Sequence, residues 1–373
     1  KIEDPVRRGD HLLKQGKIDQ AIESYKEALI QKGDNIQLYN KIAELYISKK
    51  HYDKAASQYK IIIEMQPDNI EAQYNLANTL LLANNNQKAL EEYLKLHEIN
   101  PNDKEVTLNI GIINLNLNKI KEAQEFLELT LTKDPDNIDA KLNLGILHEK
   151  HDDPQKAIII FRDLLNYAPT NKKFITNLGS ALCKYGSVRY SKNDYKEALV
   201  LYNEALGYDN NNADIIFNIG KCQYALKQYS EALISFKKAL KFDENEPEFL
   251  IAEANTLDAL GKESEALKKF RKAIEIVPTN AKLRCAYGAA LGSSGNINEA
   301  IEQLEKAVRY DLRYDEAHYN LGVAYEAVGE YEKAVEQYKA TITCTPNHFE
   351  ALSNLEALEE DMRNGVLDQP EEG

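Results

Sequence analysis

Small, bulky and turn-forming residues recur along this chain at one fixed interval. Ala21, Ala55, Ala89, Ala123, Ala157, Ala198, Ala232, Ala266, Ala300 and Ala334 are spaced by 34 residues, with a single step of 41. Twelve residues before these alanines stand Gly9, Ala43, Ala77, Gly111, Gly145, Gly220, Ala254, Gly288 and Gly322; in the sixth unit Gly186 keeps that spacing, while Gly179 lies nineteen residues before Ala198. Four residues after each alanine comes a large side chain: Tyr25, Tyr59, Tyr93, Leu127, Phe161, Tyr202, Phe236, Phe270, Leu304 and Tyr338. Small residues let two helix backbones approach, and a large one a turn further on plugs the groove beside them. The pattern predicts antiparallel helical hairpins, each helix about 13 residues and roughly 20 Å long, stacked as a solenoid.

Punctuation agrees with this register. Gly16, Asn84, Asn118, Asn193, Gly261, Gly295 and Gly329 fall between the two helices of a unit, where a left-handed residue is wanted. Pro-Asp-Asn at 67–69 and 135–137, and Pro-Thr-Asn at 169–171 and 278–280, stop one helix and cap the next.

A small residue, an alanine, an aromatic and a closing proline within 34 residues closely resemble the tetratricopeptide repeat family. The proline is Pro67, Pro101, Pro135, Pro169, Pro278 and Pro346, replaced elsewhere by Gly33, Asn210, Glu244 and Leu312. The resemblance covers repeats at 2–35, 36–69, 70–103, 104–137, 138–171, 172–212 (seven residues too long), 213–246, 247–280, 281–314 and 315–348. A capping helix at 349–363, with Leu352, Leu355 and Leu358 inward, and an acidic tail at 364–373 follow. It implies an all-α fold, a right-handed superhelical solenoid of antiparallel helix pairs, expected as one elongated domain over 1–363. The chain departs from the family in having no Trp.

In that family the first helix of each repeat lines the inner surface, and ligand contacts come mainly from its positions 2, 5, 6, 9, 12 and 13. Position 6 gives Asn75, Asn109, Asn143, Asn177, Asn218 and Asn320, interrupted by Arg7, Lys41, Ala252 and Ala286. Such amides offer donor and acceptor to an extended peptide backbone, as in the ladder of the O-linked N-acetylglucosamine transferases, or bridge the array's own backbone. Leu108, Ile112, Leu142 and Ile146, with Tyr74, Leu81 and Leu115 beside them, form an apolar strip that reads either as an interaction surface or as packing between first helices. Phe217, Tyr224 and Tyr319 continue the face as aromatic, and Asp258 and Glu326 turn it acidic, which suits a ligand apolar at one end and basic at the other. No repeat has Lys at position 5, and Arg7 is the only Arg at position 6, so the two-carboxylate clamp for acidic chaperone tails is rejected.

The net charge is −14, divided as −1 over residues 1–100, −2 over 101–212 and −11 over 213–373. This argues against nucleic acid or an anionic membrane surface as principal partner, and leaves a basic partner for the C-terminal third as one reading. Cys183, Cys222, Cys285 and Cys344 lie in different repeats without C-x-x-C spacing, which fits reduced thiols in the cytoplasm. No run reaches membrane-spanning length. His148 and His151, followed by Asp152 and Asp153, lack a third fixed ligand, so no metal is expected. Gly288, Gly292 and Gly295 follow no strand, so no phosphate loop is expected. With no recurring nucleophile, base and orienting group, neither enzymatic activity nor a cofactor is expected. Because the chain begins at Lys1, it reads as a piece of a longer protein.

Two irregularities remain. Seven extra residues equal about two helical turns, which predicts a lengthened first helix in repeat six and Tyr185, Arg189 and Tyr190 projecting from it. Glu253 occupies a position that is Leu76, Ile110, Leu144, Leu178 or Leu321 elsewhere, and is expected to lean toward solvent or to pair with Arg284. The favoured reading is a scaffold gripping an extended peptide or helical segment of a partner protein in its groove. The alternatives are the substrate-recognition arm of a larger enzyme of the transferase kind, or a structural subunit of an assembly such as a cell-cycle ligase, a peroxisomal import receptor or a ciliary complex.

Overall fold

Alanine at the closest approach of two helices, and a bulky side chain one turn beyond it, set the hairpin that the chain repeats. The computed structural model describes residues 4–151 and 153–365, and among them every regular element is an α-helix. Most of the tail at 364–373 and Asp152 lie outside the described residues. Contacts divide the chain into two units, 1–181 and 182–373. The first holds α1 (Pro5–Lys14), α2 (Ile18–Lys32), α3 (Ile36–Ser48), α4 (Tyr52–Met65), α5 (Ile70–Leu82), α6 (Asn86–Ile99), α7 (Lys104–Asn116), α8 (Ile120–Lys133), α9 (Ile138–Lys150) and α10 (Pro154–Tyr167). The boundary falls inside α11 (Lys172–Ser191). The second unit continues with α12 (Tyr195–Tyr208), α13 (Ala213–Ala225), α14 (Tyr229–Leu240), α15 (Pro247–Ala259), α16 (Glu263–Ile276), α17 (Ala281–Ser293), α18 (Ile297–Tyr310), α19 (Asp315–Ala327), α20 (Tyr331–Cys344) and α21 (Phe349–Arg363).

All ten period-setting alanines are fully buried, and their bulky partners are at most 3 % exposed. The small residue twelve positions earlier is a steric necessity: a Cβ on Gly220 would sit 2.6 Å from Phe236 Cε1, and one on Gly9 2.5 Å from Tyr25 Cε1. In α11, which runs 20 residues, Gly186 faces the Tyr202 ring in this way while a Cβ on Gly179 would meet nothing within 4 Å. α11 therefore carries the small-residue position twice, two turns apart, and its second copy packs on α12.

The turns follow the expected chemistry. Gly16, Asn84, Asn118, Asn193, Gly261, Gly295 and Gly329 all have positive φ, as do Lys50 and Lys227, two positions where lysine gives no signal of the turn. Asn35, Asn69, Asn137, Asn212 and Asn280 each cap the following helix by accepting from a backbone N–H in its first turn.

First helices of successive pairs touch one another, as α7 does α9 in the first unit and α13, α15, α17 and α19 do in turn in the second. No two second helices make comparable contact among the described residues. Within each unit the face of first helices is thus the more tightly gathered one. Of the three leucines expected inward on α21, Leu358 is buried and Leu355 packs against the core, but Leu352 is 42 % exposed.

Candidate functional site

Position 6 of each first helix lies opposite the bulky residue of the preceding second helix, and at two places a tyrosine hydroxyl there takes the asparagine amide. The Asn109 amide donates to Tyr93 Oη at 3.1 Å, and that hydroxyl donates in turn to Asn78. Asn354, a ladder member the sequence reading overlooked because it lies in the capping helix, donates to Tyr338 Oη at 3.4 Å, which donates to Glu326. Lys41 takes the same place over the Tyr25 ring and pairs with Asp10, to which Tyr25 also donates.

Where the preceding residue has no hydroxyl the pattern changes. Asn143 follows Leu127 and donates to the Asp139 carbonyl of its own helix; Asn320 follows Leu304 and donates to Cys285 Sγ at 3.4 Å. Ala252 and Ala286, the interruptions in the second unit, follow Phe236 and Phe270. Asn177 follows Phe161, and its Nδ2 is buried without a hydrogen-bond partner. Asn75 and Asn218 follow Tyr59 and Tyr202, yet make no side-chain hydrogen bond among the described residues. The ladder is therefore of two kinds: amides engaged within the chain, at Asn109, Asn143, Asn320 and Asn354, and amides left open, at Asn75, Asn177 and Asn218.

The apolar strip is half sunk. Leu142 is only 4 % exposed, and Leu108 and Leu115 pack against the Ala123, Leu127, Leu144 and Leu147 cluster. Ile112 and Ile146 are half-buried. Tyr74 stands edge-on to Tyr93 at 5.9 Å and donates to Glu105 at 3.2 Å. Tyr319 lies 4.9 Å from the His348 ring and 6.0 Å from Tyr338.

Phe217, nearly buried against Phe236 and Phe249, forms the floor of a recess of about 320 Å³ on the first-helix face of the second unit. Tyr190, Tyr224, Ile251, Ala252 and Asn255 surround it. Counting from Gly186, Tyr190 occupies position 12 of α11, the place Tyr224 has in α13. Instead of projecting, Tyr190 stands edge-on to Tyr195 at 5.1 Å, and Arg189 pairs with Glu197 while lying over the Tyr185 ring. Asp258, on the same face, has its carboxyl raised by burial and by Glu263.

Glu253 differs from both expectations. It is 1 % exposed and pairs with Lys269 at 2.8 Å, beneath a lysine-lined recess between α14 and α16. Arg284 instead donates to Gln303 at 2.5 Å and to the Pro278 carbonyl at 2.7 Å. His148 is buried, and burial followed by Lys156 holds it below the usual histidine range. Among the described residues no group of three His, Cys, Asp or Glu could hold a metal ion, and no helix is long and apolar enough to cross a membrane.

Family models described as tetratricopeptide repeat match residues 40–104, 139–171, 190–256 and 315–348, and one described as TPR repeat matches 9–50 and 290–329. The chain belongs to the tetratricopeptide repeat family, a class of protein-interaction scaffolds. Among solved structures it is similar to YrrB, a TPR protein with an unusual peptide-binding site, at 24 % identity over 52 % of this chain and 96 % of that one, with a TM-score of 0.41. It is similar also to MamA, at 23 % identity over 43 % of this chain and 95 % of that one, with a TM-score of 0.40. A tetratricopeptide repeat protein from Parabacteroides merdae aligns at 18 % identity over 68 % of this chain and 98 % of that one, with a TM-score of 0.44. No curated protein sequence matches significantly.

Proposed function

We propose that the first-helix face of this scaffold grips an extended segment of a partner protein through the open asparagine amides. The observation that carries this reading is the buried Asn177 Nδ2 without an acceptor. A buried donor left unpaired costs about 1–3 kcal/mol, a cost removed when the Asn177 side chain turns outward and donates to a peptide carbonyl. Asn75 and Asn218 offer the same group further along each unit's face.

A segment held on the second unit's face is basic. Carboxylates stand there at position 2 in Asp214, Glu248, Glu316 and Glu350, and at position 12 in Asp258, Glu326 and Glu360. Against them the contact positions hold three cations, Lys184, counted from Gly186, Lys221 and Lys282. A face of one sign raises the local concentration of the opposite charge and speeds encounter. Four free thiols suit a reducing, cytoplasmic setting, and the chain acts by binding, without chemistry of its own.

The test is affinity capture with wild-type chain, with Asn75→Ala/Asn177→Ala/Asn218→Ala, and with Ile234→Asp on the exposed side of α14, all confirmed helical by circular dichroism. Partners lost from the triple variant alone support the reading. A partner set unchanged there and lost from Ile234→Asp places binding on the second helices and overturns it.

A further inference from the structure

The recess over Phe217 is aromatic on its walls, bordered by a carboxylate, and already contains a cation from the chain itself. Lys221 Nζ lies 5.1 Å from the Tyr190 ring centroid and 5.6 Å from that of Phe217. Ring faces attract an ammonium at such distances. Lys221 makes no ion pair among the described residues, so only the ring faces hold it there. The Glu248 carboxylate on α15 lines the same recess, is exposed, and also lacks an ion-pair partner.

The space itself follows from a small side chain. Ala252 stands opposite Phe236 at position 6 of α15, where asparagine stands in most units, and opens the wall between α13 and α15. Position 12 supplies Tyr190 and Tyr224, and position 5 supplies Phe217, so the three rings converge on one place along the face.

We propose that this recess is the seat for a lysine or arginine side chain of the basic partner segment, and that Lys221 occupies the seat in the free protein and is displaced on binding. This rests on the reading of the first-helix face given above. The incoming cation takes the ring faces, and the Lys221 ammonium turns to the unpaired Glu248 carboxylate, so the exchange leaves no like charges crowded in the recess. The occupant is set by charge: carboxylates dominate the contact positions of this unit, and a partner with an acidic side chain at this point would be repelled by the face around it. Lys221 thus acts as an intramolecular competitor that sets a threshold for the partner's cation.

The experiment measures binding of fluorescein-labelled twelve-residue peptides to the full chain by polarisation. The peptides have a Leu/Ala frame with Lys, Arg, Gln or Glu at the centre. Lys221→Met keeps the apolar stem and vacates the rings; it is expected to tighten the Lys and Arg peptides by about tenfold while leaving the Gln peptide unchanged. Tyr190→Leu is expected to abolish the preference for Lys over Gln. Equal tightening of the Gln peptide, no change with Lys221→Met, or failure of every peptide to bind that variant overturns the proposal. Preference for the Glu peptide, lost in Lys221→Met, also overturns it and makes Lys221 a receptor for an anion. If Asn218→Ala abolishes binding while Lys221→Met does nothing, the face reading stands and the cation seat falls. If neither variant affects a peptide that binds, both fall.

Discussion

What a Cβ would meet separates a glycine that must stay from one that need not. Gly220→Ala forces a Cβ against the Phe236 ring at 2.6 Å and is expected to cost about 1–3 kcal/mol. Gly179→Ala, in the same helix type but facing open space, is expected to gain about 0.5–1 kcal/mol. Urea denaturation of the two variants checks both signs. The asparagines divide similarly. Asn109→Ala leaves Tyr93 Oη without its donor and is expected to lose about 1 kcal/mol, whereas Asn177→Ala removes an unpaired buried donor and is expected to cost nothing or to stabilise, read by thermal melting. Sequence alone displayed the asparagines but not this division, because it depends on which acceptor each amide reaches in three dimensions: Tyr93 and Tyr338 hydroxyls take Asn109 and Asn354, a carbonyl and a thiol take Asn143 and Asn320, and Asn75 and Asn218 stay open although Tyr59 and Tyr202 precede them. The Glu253 partner was hidden for a related reason: Lys269 is reached across a helix pair, while Arg284 has its own acceptors in Gln303 and Pro278.

Helix ends were largely legible because glycine, asparagine and proline report backbone conformation directly. The exceptions are Lys50 and Lys227, left-handed residues at φ near 60°. An L-residue with a Cβ is strained there by roughly 1–2 kcal/mol, so Lys227→Gly is expected to raise the Tm, while Ile234→Gly, at an exposed site in the interior of α14, lowers it. The apolar strip was harder to read than the turns. Leu108 and Leu142 fall at positions that belong to the ligand in a widely open face, yet successive first helices touch and draw them in. Position in a repeat fixes direction; depth depends on how closely neighbouring hairpins gather. The second unit's recess escaped notice because Ala252 read as a gap in a ladder rather than as space.

Across the molecule, titration separates histidines from carboxylates. His97 and His148 are held low, first by burial and then by Lys133 and Lys156 respectively. The unfolded chain binds the protons these rings resist, so their contribution is complete above about pH 6.5 and is lost as pH falls below it. Asp134, held low by Lys104, responds only below the ordinary carboxylate range. Thermal melts at pH 7 and pH 5 are therefore expected to show a lower Tm at pH 5, and His148→Gln to flatten that slope. Buried thiols follow the opposite sense: Cys222 and Cys285 are pushed up to about 11 by burial, so neither is expected to alkylate at pH 7 in the folded chain. The coupling between a second-helix ring and the next position 6 has an evolutionary consequence. Tyrosine and phenylalanine codons differ by one nucleotide, and an exchange at Tyr93 or Tyr338, whose hydroxyls hold Asn109 and Asn354, frees those amides without touching the face that bears them. Specificity can thus drift by mutations that a comparison of groove residues alone would score as silent.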